Sequence, residues 1–280
     1  MSPATEIVNA LTVDVEDYFH VHNLAPYIAR ETWDSLPGVC LDATRRLLAL
    51  FGERNVRATF FVLGWIARRH PQLVREIADA GHEIACHGFG HQSLLQMTPA
   101  EFRADLRAAK DAIENAGGAP AAGYRAPSFS IGEKNPWAFD VLIEEGFRYD
   151  SSVFPGRKAP IGFLGVDRGP CLIERAGVGS LVELPLTRLD FAGGSVPFAG
   201  GAFFRLYPYW LIRAGLRRIQ AATATPAVIY FHPWEIAPGQ PRIDARLAPR
   251  LKHYVGLRTF EQKLQRLLTD FRFGRAIDLL

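Results

Sequence analysis

The chain has 280 residues, of which 48% are hydrophobic, 22% charged and 11% aromatic. This composition is close to that of an average globular protein and excludes a disordered, collagen-like or coiled-coil chain. The 32 lysines and arginines against 29 acids give a net charge of +3, and no basic run accompanies this excess, so the sequence predicts no nucleic-acid partner.

The strand and helix signals alternate along the chain. Strands are predicted over 10–13, 58–63, 82–87, 123–127, 149–153, 181–185 and 227–231, and helices over 41–51, 71–80, 98–115, 136–145, 209–222 and 259–271. The glycine- and proline-rich segment 155–180 is predicted to be a long loop. Residues 58–63 show no polar alternation, as expected of a strand buried on both faces. Thr98, followed by Pro99 and Glu101, predicts a helix N-terminus.

This alternation predicts a single-domain α/β fold in which a parallel sheet is covered by helices. We favour closure of the sheet into a barrel, where ligand chemistry collects at the C-terminal ends of the strands. Reactive side chains should then follow the apolar runs directly.

The cysteines and the chain start indicate the compartment. Cys40, Cys86 and Cys171 are odd in number and widely spaced, which excludes a disulfide framework and a cysteine-rich zinc site. The first residues lack a basic segment and a long apolar core, so no signal peptide is expected. Because no uncharged apolar stretch of about 18 residues occurs, no membrane span is expected either. We therefore expect a cytoplasmic protein.

Reactive side chains do stand where the apolar runs stop. They are Asp14, Glu16 and Asp17 after the first strand, His87 and His91 after the third, Arg125 at the fourth and His232 after the last. Two histidines and a carboxylate with open coordination positions suit a catalytic divalent metal, zinc in particular. Asp14 and Glu16 are two residues apart and share one face of an extended strand end. One of them can bind a metal ion while the other accepts a proton from water.

These motifs resemble those of the NodB-type polysaccharide deacetylases, carbohydrate esterase family 4. The chain is most similar to the subgroup found beside exopolysaccharide and exosortase loci. The matching stretches are 12–19, 58–64, 81–88 with His91, 123–130, 149–152, 204–208 and 231–236 with 240–242. The resemblance implies a distorted (β/α) barrel of about seven parallel strands. It also implies one domain over residues 1–280, of which 190–280 form a subgroup-specific C-terminal part.

The resemblance assigns roles to five positions. Asp14 matches the catalytic base, and His87 and His91 match the two metal-binding histidines. Arg125 lies in the family's R-x-P motif and would pair with and orient Asp14, keeping this carboxylate ionised. His232 matches the histidine that protonates the leaving amine.

The sequence departs from the family pattern in two places. Val15 stands where most members have a second acid, so the acid-x-acid arrangement of one branch makes Glu16 the third metal ligand and Asp17 the alternate. The Asp-Trp motif that orients the final histidine is not visible, and Glu183 is the predicted substitute.

The predicted function is metal-dependent removal of N-acetyl groups from sugar residues of a polysaccharide or its precursor, in exopolysaccharide biosynthesis. The expected cofactor is one divalent metal ion, zinc by default. The expected partner is an N-acetylated saccharide in contact with Tyr18 and Trp234, because aromatic rings stack on sugar faces. Two alternatives stay open: an allantoinase-like ring amidohydrolase, and a catalytically silent carbohydrate-binding barrel. The oligomeric state is not predicted.

Overall fold

The computed structural model describes residues 7–155, 166–191, 194–198 and 200–280, together with the backbone of 162–163. Residues 1–6, for which no signal peptide is expected, and parts of the predicted 155–180 loop lie outside the described residues. In the described ranges, no helix has the length and apolar character needed to cross a membrane.

A central sheet organises the fold, and helices pack on it. The strands are β1 Val8–Val15, β2 Thr59–Val62, β3 Glu83–Cys86, β4 Gly123–Tyr124, β5 Tyr149–Asp150, β6 Phe154–Pro155, β7 Gly162–Phe163, β8 Cys171–Arg175, β9 Gly179–Glu183, β10 Arg188–Phe191, β11 Gly194–Pro197, β12 Val228–Phe231 and β13 Arg272–Gly274. The α-helices are α1 Cys40–Glu53, α2 Gly64–Arg69, α3 Pro71–Asp79, α4 Pro99–Gly117, α5 Trp137–Glu144, α6 Gly201–Leu206, α7 Tyr209–Thr223, α8 Leu247–Tyr254 and α9 Leu257–Asp270. Short 3-10 helices lie at Ala25–Tyr27, Arg30–Ser35, Leu94–Gln96, Pro127–Phe129, Pro233–Ile236 and Ala276–Leu279.

Seven successive strands of this sheet pair in parallel, in the order β12-β1-β2-β3-β4-β5-β9. Antiparallel β8 extends the sheet beyond β9, and β13 pairs with the start of β1. Near the open side, Thr187 Oγ1 accepts a hydrogen bond from the Val228 N–H at 2.8 Å and donates to its carbonyl at 3.1 Å. The predicted α/β barrel of about seven parallel strands is therefore confirmed, with a distorted closure.

Strand β2 buries apolar side chains on both faces of the sheet, one face under the helices and the other inside the barrel. All four of its residues are buried, as the lack of polar alternation predicts. Phe60 joins the large cluster beneath the helices, whereas Phe61 joins the smaller cluster with Tyr149 and Leu184. Each buried phenylalanine contributes about 1.5–3 kcal/mol to the stability of the fold.

The local signals of the sequence gave mixed results. The predicted N-terminal cap of α4 is confirmed, because Thr98 and Glu101 form a reciprocal capping box. The loop predicted over 155–180 is wrong where it covers β8 and the start of β9. These strands form an antiparallel pair in which Leu172 lies opposite Val182, and this pairing overrides the turn-rich composition.

Candidate active site

The C-terminal ends of β1, β3 and β12 meet at a cavity of about 150 Å³. Parallel pairing brings these ends to one edge of the barrel, and the residues that follow each strand turn into the cavity. Asp14, Glu16, His87, His91 and His232 all line it. The structure therefore brings together the side chains that the sequence places at separate strand ends.

Glu16, His87 and His91 form a compact group of candidate metal ligands. Each offers one ligand atom, and these atoms all lie within 4.8 Å of one another. Glu16 Oε2 is 2.7 Å from His91 Nε2. His91 has a φ of 53°, a left-handed conformation that costs a residue with a side chain about 1–3 kcal/mol. The backbone is therefore strained at the residue that completes the group.

The chemical state of these side chains fits a divalent cation. Glu16 Oε2 is buried and lacks a hydrogen-bond donor of satisfactory geometry among the described residues. His87 Nδ1 lies 2.8 Å from the Arg125 carbonyl, so this nitrogen donates and Nε2 is left as the ligand atom. Burial lowers the pKa of His87 to about 4, which keeps the ring neutral. Two nitrogens and one carboxylate oxygen with open positions are the donor set of a catalytic zinc-type site.

Charge around Glu16 favours its carboxylate form. Burial by itself raises the pKa of this carboxyl, but the neighbouring His91, His232 and His87 lower it, and the net result lies well below the ordinary value. A deprotonated carboxylate is the form that binds a metal.

The structure does not support Asp17 as the alternate metal ligand. Its Oδ2 accepts hydrogen bonds from the backbone N–H groups of Val39 and Cys40 at 2.8 and 2.9 Å, and its Oδ1 accepts from the Tyr18 N–H at 2.9 Å. Asp17 therefore caps the start of α1, and its oxygens are occupied by that role.

Arg125 holds the candidate base in a fixed orientation. Its Nη1 donates to Asp14 Oδ1 and to Thr12 Oγ1, both at 2.7 Å. Its Nε and Nη2 donate to the carbonyl and the hydroxyl of Ser151, each at 2.9 Å. Asp14 and Arg125 are buried, so a planar guanidinium fixed by four contacts holds the carboxylate in one geometry. The pairing that the family resemblance implies is thus observed.

His232 is held by a buried acid that the sequence analysis did not assign. Glu235 Oε2 accepts from the His232 N–H at 3.0 Å and lies 3.1 Å from His232 Nδ1. Glu235 Oε1 accepts from Arg205 Nε at 2.6 Å. Burial lowers the pKa of His232, but the Glu235 contact and the nearby Glu16 raise it to a net value of about 9. The two carboxylates therefore favour the protonated form of the His232 imidazole.

The sequence carries a local signal for Glu235. An acid three residues after a helix-capping position closes a capping box, and His232 to Glu235 have this spacing across the short helix Pro233–Ile236. The predicted substitute Glu183 is wrong. It lies on β9 opposite Asp150 and accepts from the Val153 N–H at 3.0 Å, so it orients a neighbouring strand end.

Of the two predicted saccharide contacts, only Trp234 lies at the cavity. Tyr18 is buried, its hydroxyl donates to the Pro37 carbonyl at 3.2 Å, and it does not line the cavity, so this prediction fails because the ring packs in the core. Trp234 does line the cavity. Its ring stacks on His232 at 5.0 Å and on His253 at 4.3 Å, and its Nε1 donates to Glu16 Oε1 at 3.5 Å, so little of the ring is left to contact a saccharide.

Comparison with known proteins identifies the domain. The family model described as polysaccharide deacetylase matches residues 28–146, and a domain of unknown function, DUF3473, matches residues 151–280. His87, His91 and Arg125 lie in the first match, whereas Asp14 and Glu16 precede it and His232 lies in the second. Residues 28–146 therefore match the polysaccharide deacetylase family, and the remaining residues of the site lie outside this match.

Curated relatives and solved structures agree with this assignment. A peptidoglycan deacetylase of Helicobacter pylori is 31% identical over 108 residues, which are 39% of this chain and 36% of the relative. A peptidoglycan-N-acetylglucosamine deacetylase of Bacillus cereus is 36% identical over 92 residues, 32% of each chain. The matched part thus spans about a third of the length of these relatives. Enzymes with these names are hydrolases of carbon–nitrogen amide bonds.

The structural likeness extends over nearly the whole chain. The crystal structure of a putative polysaccharide deacetylase from Mycobacterium smegmatis has a TM-score of 0.60 and 26% identity, and the alignment covers 99% of this chain and 93% of that one. The allantoinase Puue has a TM-score of 0.62 at 15% identity, covering 98% of this chain and 88% of that one. At that identity the likeness to the allantoinase shows the fold alone.

Proposed function

We propose that this protein is a metal-dependent hydrolase that removes N-acetyl groups from sugar residues of a polysaccharide or its precursor. One observation carries the proposal: a single cavity combines a group of three candidate metal ligands, a carboxylate fixed by an arginine, and a histidine backed by a carboxylate. The deacetylase names of the curated relatives support the reaction class.

Glu16, His87 and His91 are the residues that would hold the metal, by default zinc. When bound, such an ion polarises a carbonyl and makes water acidic enough to lose a proton near neutral pH. Asp14 is the group that accepts this proton. Arg125 occupies its Oδ1, so Oδ2 is the oxygen that receives the proton as the water oxygen attacks the acetyl carbon.

His232 completes the reaction as general acid. Its Nδ1 faces Glu235, and its Nε2 lies 3.5 Å from Glu16 Oε1 on the cavity side. The Nε2 proton passes to the sugar nitrogen as the bond between carbon and nitrogen breaks, so the products are acetate and a free amine. Glu235 stabilises the charged imidazole before transfer and sets which ring nitrogen carries the mobile proton.

The role in exopolysaccharide biosynthesis is supported by the stretches that resemble that subgroup. His232 and Trp234 of the 231–236 stretch line the cavity. Gln240 of the second stretch lies behind them: it donates to the Trp234 carbonyl at 2.9 Å and contacts His253 Nε2 at 2.8 Å. His253 stacks on Trp234, which stacks on His232. The subgroup-specific residues thus support the candidate acid directly.

The test combines metal content with substrate choice. Protein purified without a chelating tag should hold close to one divalent ion per chain and release acetate from N-acetylglucosamine oligomers. His91→Ala should lose both properties. His70→Ala is the matched control, because His70 does not line the cavity, and it should keep both. Hydrolysis of allantoin without acetate release would instead identify a ring amidohydrolase, and saccharide binding without turnover would identify a silent barrel.

A further inference from the structure

Helix α8 forms part of the rim of the cavity and is anchored there. Lys252 and His253 of this helix line the cavity. Arg205 donates to the carbonyls of these two residues at 3.1 and 2.5 Å, and Asn23 Nδ2 donates to the Pro249 carbonyl at 2.8 Å. Because Arg205 also binds Glu235, α8 is tied to the same cluster as the candidate acid.

The outer face of α8 exposes two leucines. Leu247 and Leu251 are 71% and 52% exposed, and a spacing of four residues places them side by side on one face of the helix. A single exposed leucine is ordinary. Two adjacent leucines beside a ligand cavity, on a helix whose other side is held by hydrogen bonds, point to a surface that contacts something apolar.

Cations outnumber acids in the segment around these leucines. Residues 242–258 contain five cations and one acid, whereas the whole chain has 32 cations and 29 acids. Arg246, Arg250 and Lys252 are exposed, and none has an acidic partner within 4.0 Å in the part of the chain that the structure describes. Cations without acidic partners beside exposed leucines are typical of a helix that lies on a membrane surface.

We propose that the α8 face, made of Arg246, Leu247, Arg250 and Leu251, docks on an anionic lipid bilayer. The leucines would enter the boundary between headgroups and acyl chains, and the cations would contact lipid phosphates. An acidic polysaccharide satisfies the cations but offers nothing apolar to the leucines. A second copy of the chain would bring like charges together. The cavity rim would then lie at the bilayer surface, whether or not the cavity deacetylates a saccharide.

Sedimentation with lipid vesicles tests this surface. The wild type should bind vesicles of equal parts phosphatidylcholine and phosphatidylglycerol, and bind pure phosphatidylcholine vesicles far more weakly. Leu247→Gln with Leu251→Gln, and separately Arg246→Gln with Arg250→Gln, should each weaken binding to the anionic vesicles about tenfold or more. Leu172→Gln and Arg217→Gln with Arg218→Gln change exposed residues outside α8 and should leave binding unchanged.

Three results would overturn the proposal. The first is absence of binding to the anionic vesicles by the wild type. The second is binding that the leucine variant retains in full, since it would indicate a purely electrostatic surface suited to an acidic polysaccharide. The third is a wild-type dimer in solution that the leucine variant converts to a monomer without vesicle binding by either, since the occupant would then be a second copy. Far-ultraviolet circular dichroism of each variant verifies that α8 and the fold are retained.

Discussion

Glu235 Oε2 lies 3.1 Å from Nδ1 of His232, and this contact determines which imidazole nitrogen faces the cavity. Burial raises the pKa of the Glu235 carboxyl, but Arg205 and His232 lower it, and the net value is below the ordinary one. A buried carboxylate that stays ionised holds its histidine protonated and oriented. The proposed general acid is therefore oriented by Glu235, which in turn binds Arg205, 30 positions away along the chain.

Glu235→Gln should impair the acid without disturbing the metal group. We expect kcat to fall about a hundredfold because His232 loses the carboxylate that stabilises its charged form, with metal content unchanged. The variant leaves the Arg205 guanidinium without its buried anion, so the free energy of unfolding should fall by about 3 kcal/mol. Steady-state kinetics and denaturant unfolding measure the two effects. Glu183→Gln, a buried acid away from His232, serves as control, and an equal loss of kcat in it would contradict this assignment.

Arg125→Lys should distinguish the orienting role of the Arg125 guanidinium from the effect of its positive charge. A lysine keeps the positive charge but cannot reach Asp14, Thr12 and Ser151 together. The carboxylate would then be displaced, and kcat should fall about a hundredfold. Metal content should persist because His87 contacts the Arg125 backbone carbonyl, which the substitution keeps. In the exposed Arg148 the same exchange should leave kcat unchanged, and full activity of Arg125→Lys would refute the orienting role.

Glu16 should be required for metal binding, whereas Asp17 should contribute to the stability of the fold. Glu16→Gln should lose the metal, since an amide is a poor ligand in place of a carboxylate. Asp17→Asn should retain the metal but lower the free energy of unfolding by about 1–2 kcal/mol, because it weakens the cap of α1. Elemental analysis and thermal unfolding of both variants distinguish these effects. Metal loss in Asp17→Asn alone would restore Asp17 as the ligand.

Much of this site could be predicted from the sequence because local patterns determine it. Apolar runs end at Asp14, His87 and His232, and parallel pairing brings strand ends together whatever the loops do. The contacts that fix orientation could not be predicted in this way. Glu235 meets Arg205 only through tertiary packing, and the pairing of β8 with β9 outweighs a loop-like composition.

The direction in which some side chains point could not be predicted from the sequence either. Asp17 and Tyr18 belong to the same polar and aromatic run as Glu16, but the chain turns after β1 and points them into the cap of α1 and the core. Glu16 is therefore a candidate metal ligand, whereas the two residues that follow it have structural roles, because the chain changes direction between them.

The stability of the fold should depend on pH through His82, away from the metal group. Burial and the nearby Arg57 lower the pKa of His82 to about 4, and its Nδ1 accepts from the Ala58 N–H at 3.0 Å. A depressed pKa stabilises the fold above the unfolded value of about 6.5 and loses this contribution as the pH falls through about 4. His82→Asn retains an acceptor, so its free energy of unfolding should decline less between pH 6.5 and 4. An unchanged decline would show that other groups dominate.

The most direct test of the central claim is to measure acetate release and metal content together in the wild type and in Asp14→Asn. The assignments of base and ligand predict that both proteins bind close to one divalent ion per chain, and that only the wild type releases acetate from N-acetylated oligosaccharides. The amide keeps the shape of Asp14 but cannot accept a proton from water. Loss of metal in Asp14→Asn, or acetate release at the wild-type rate, would contradict the account.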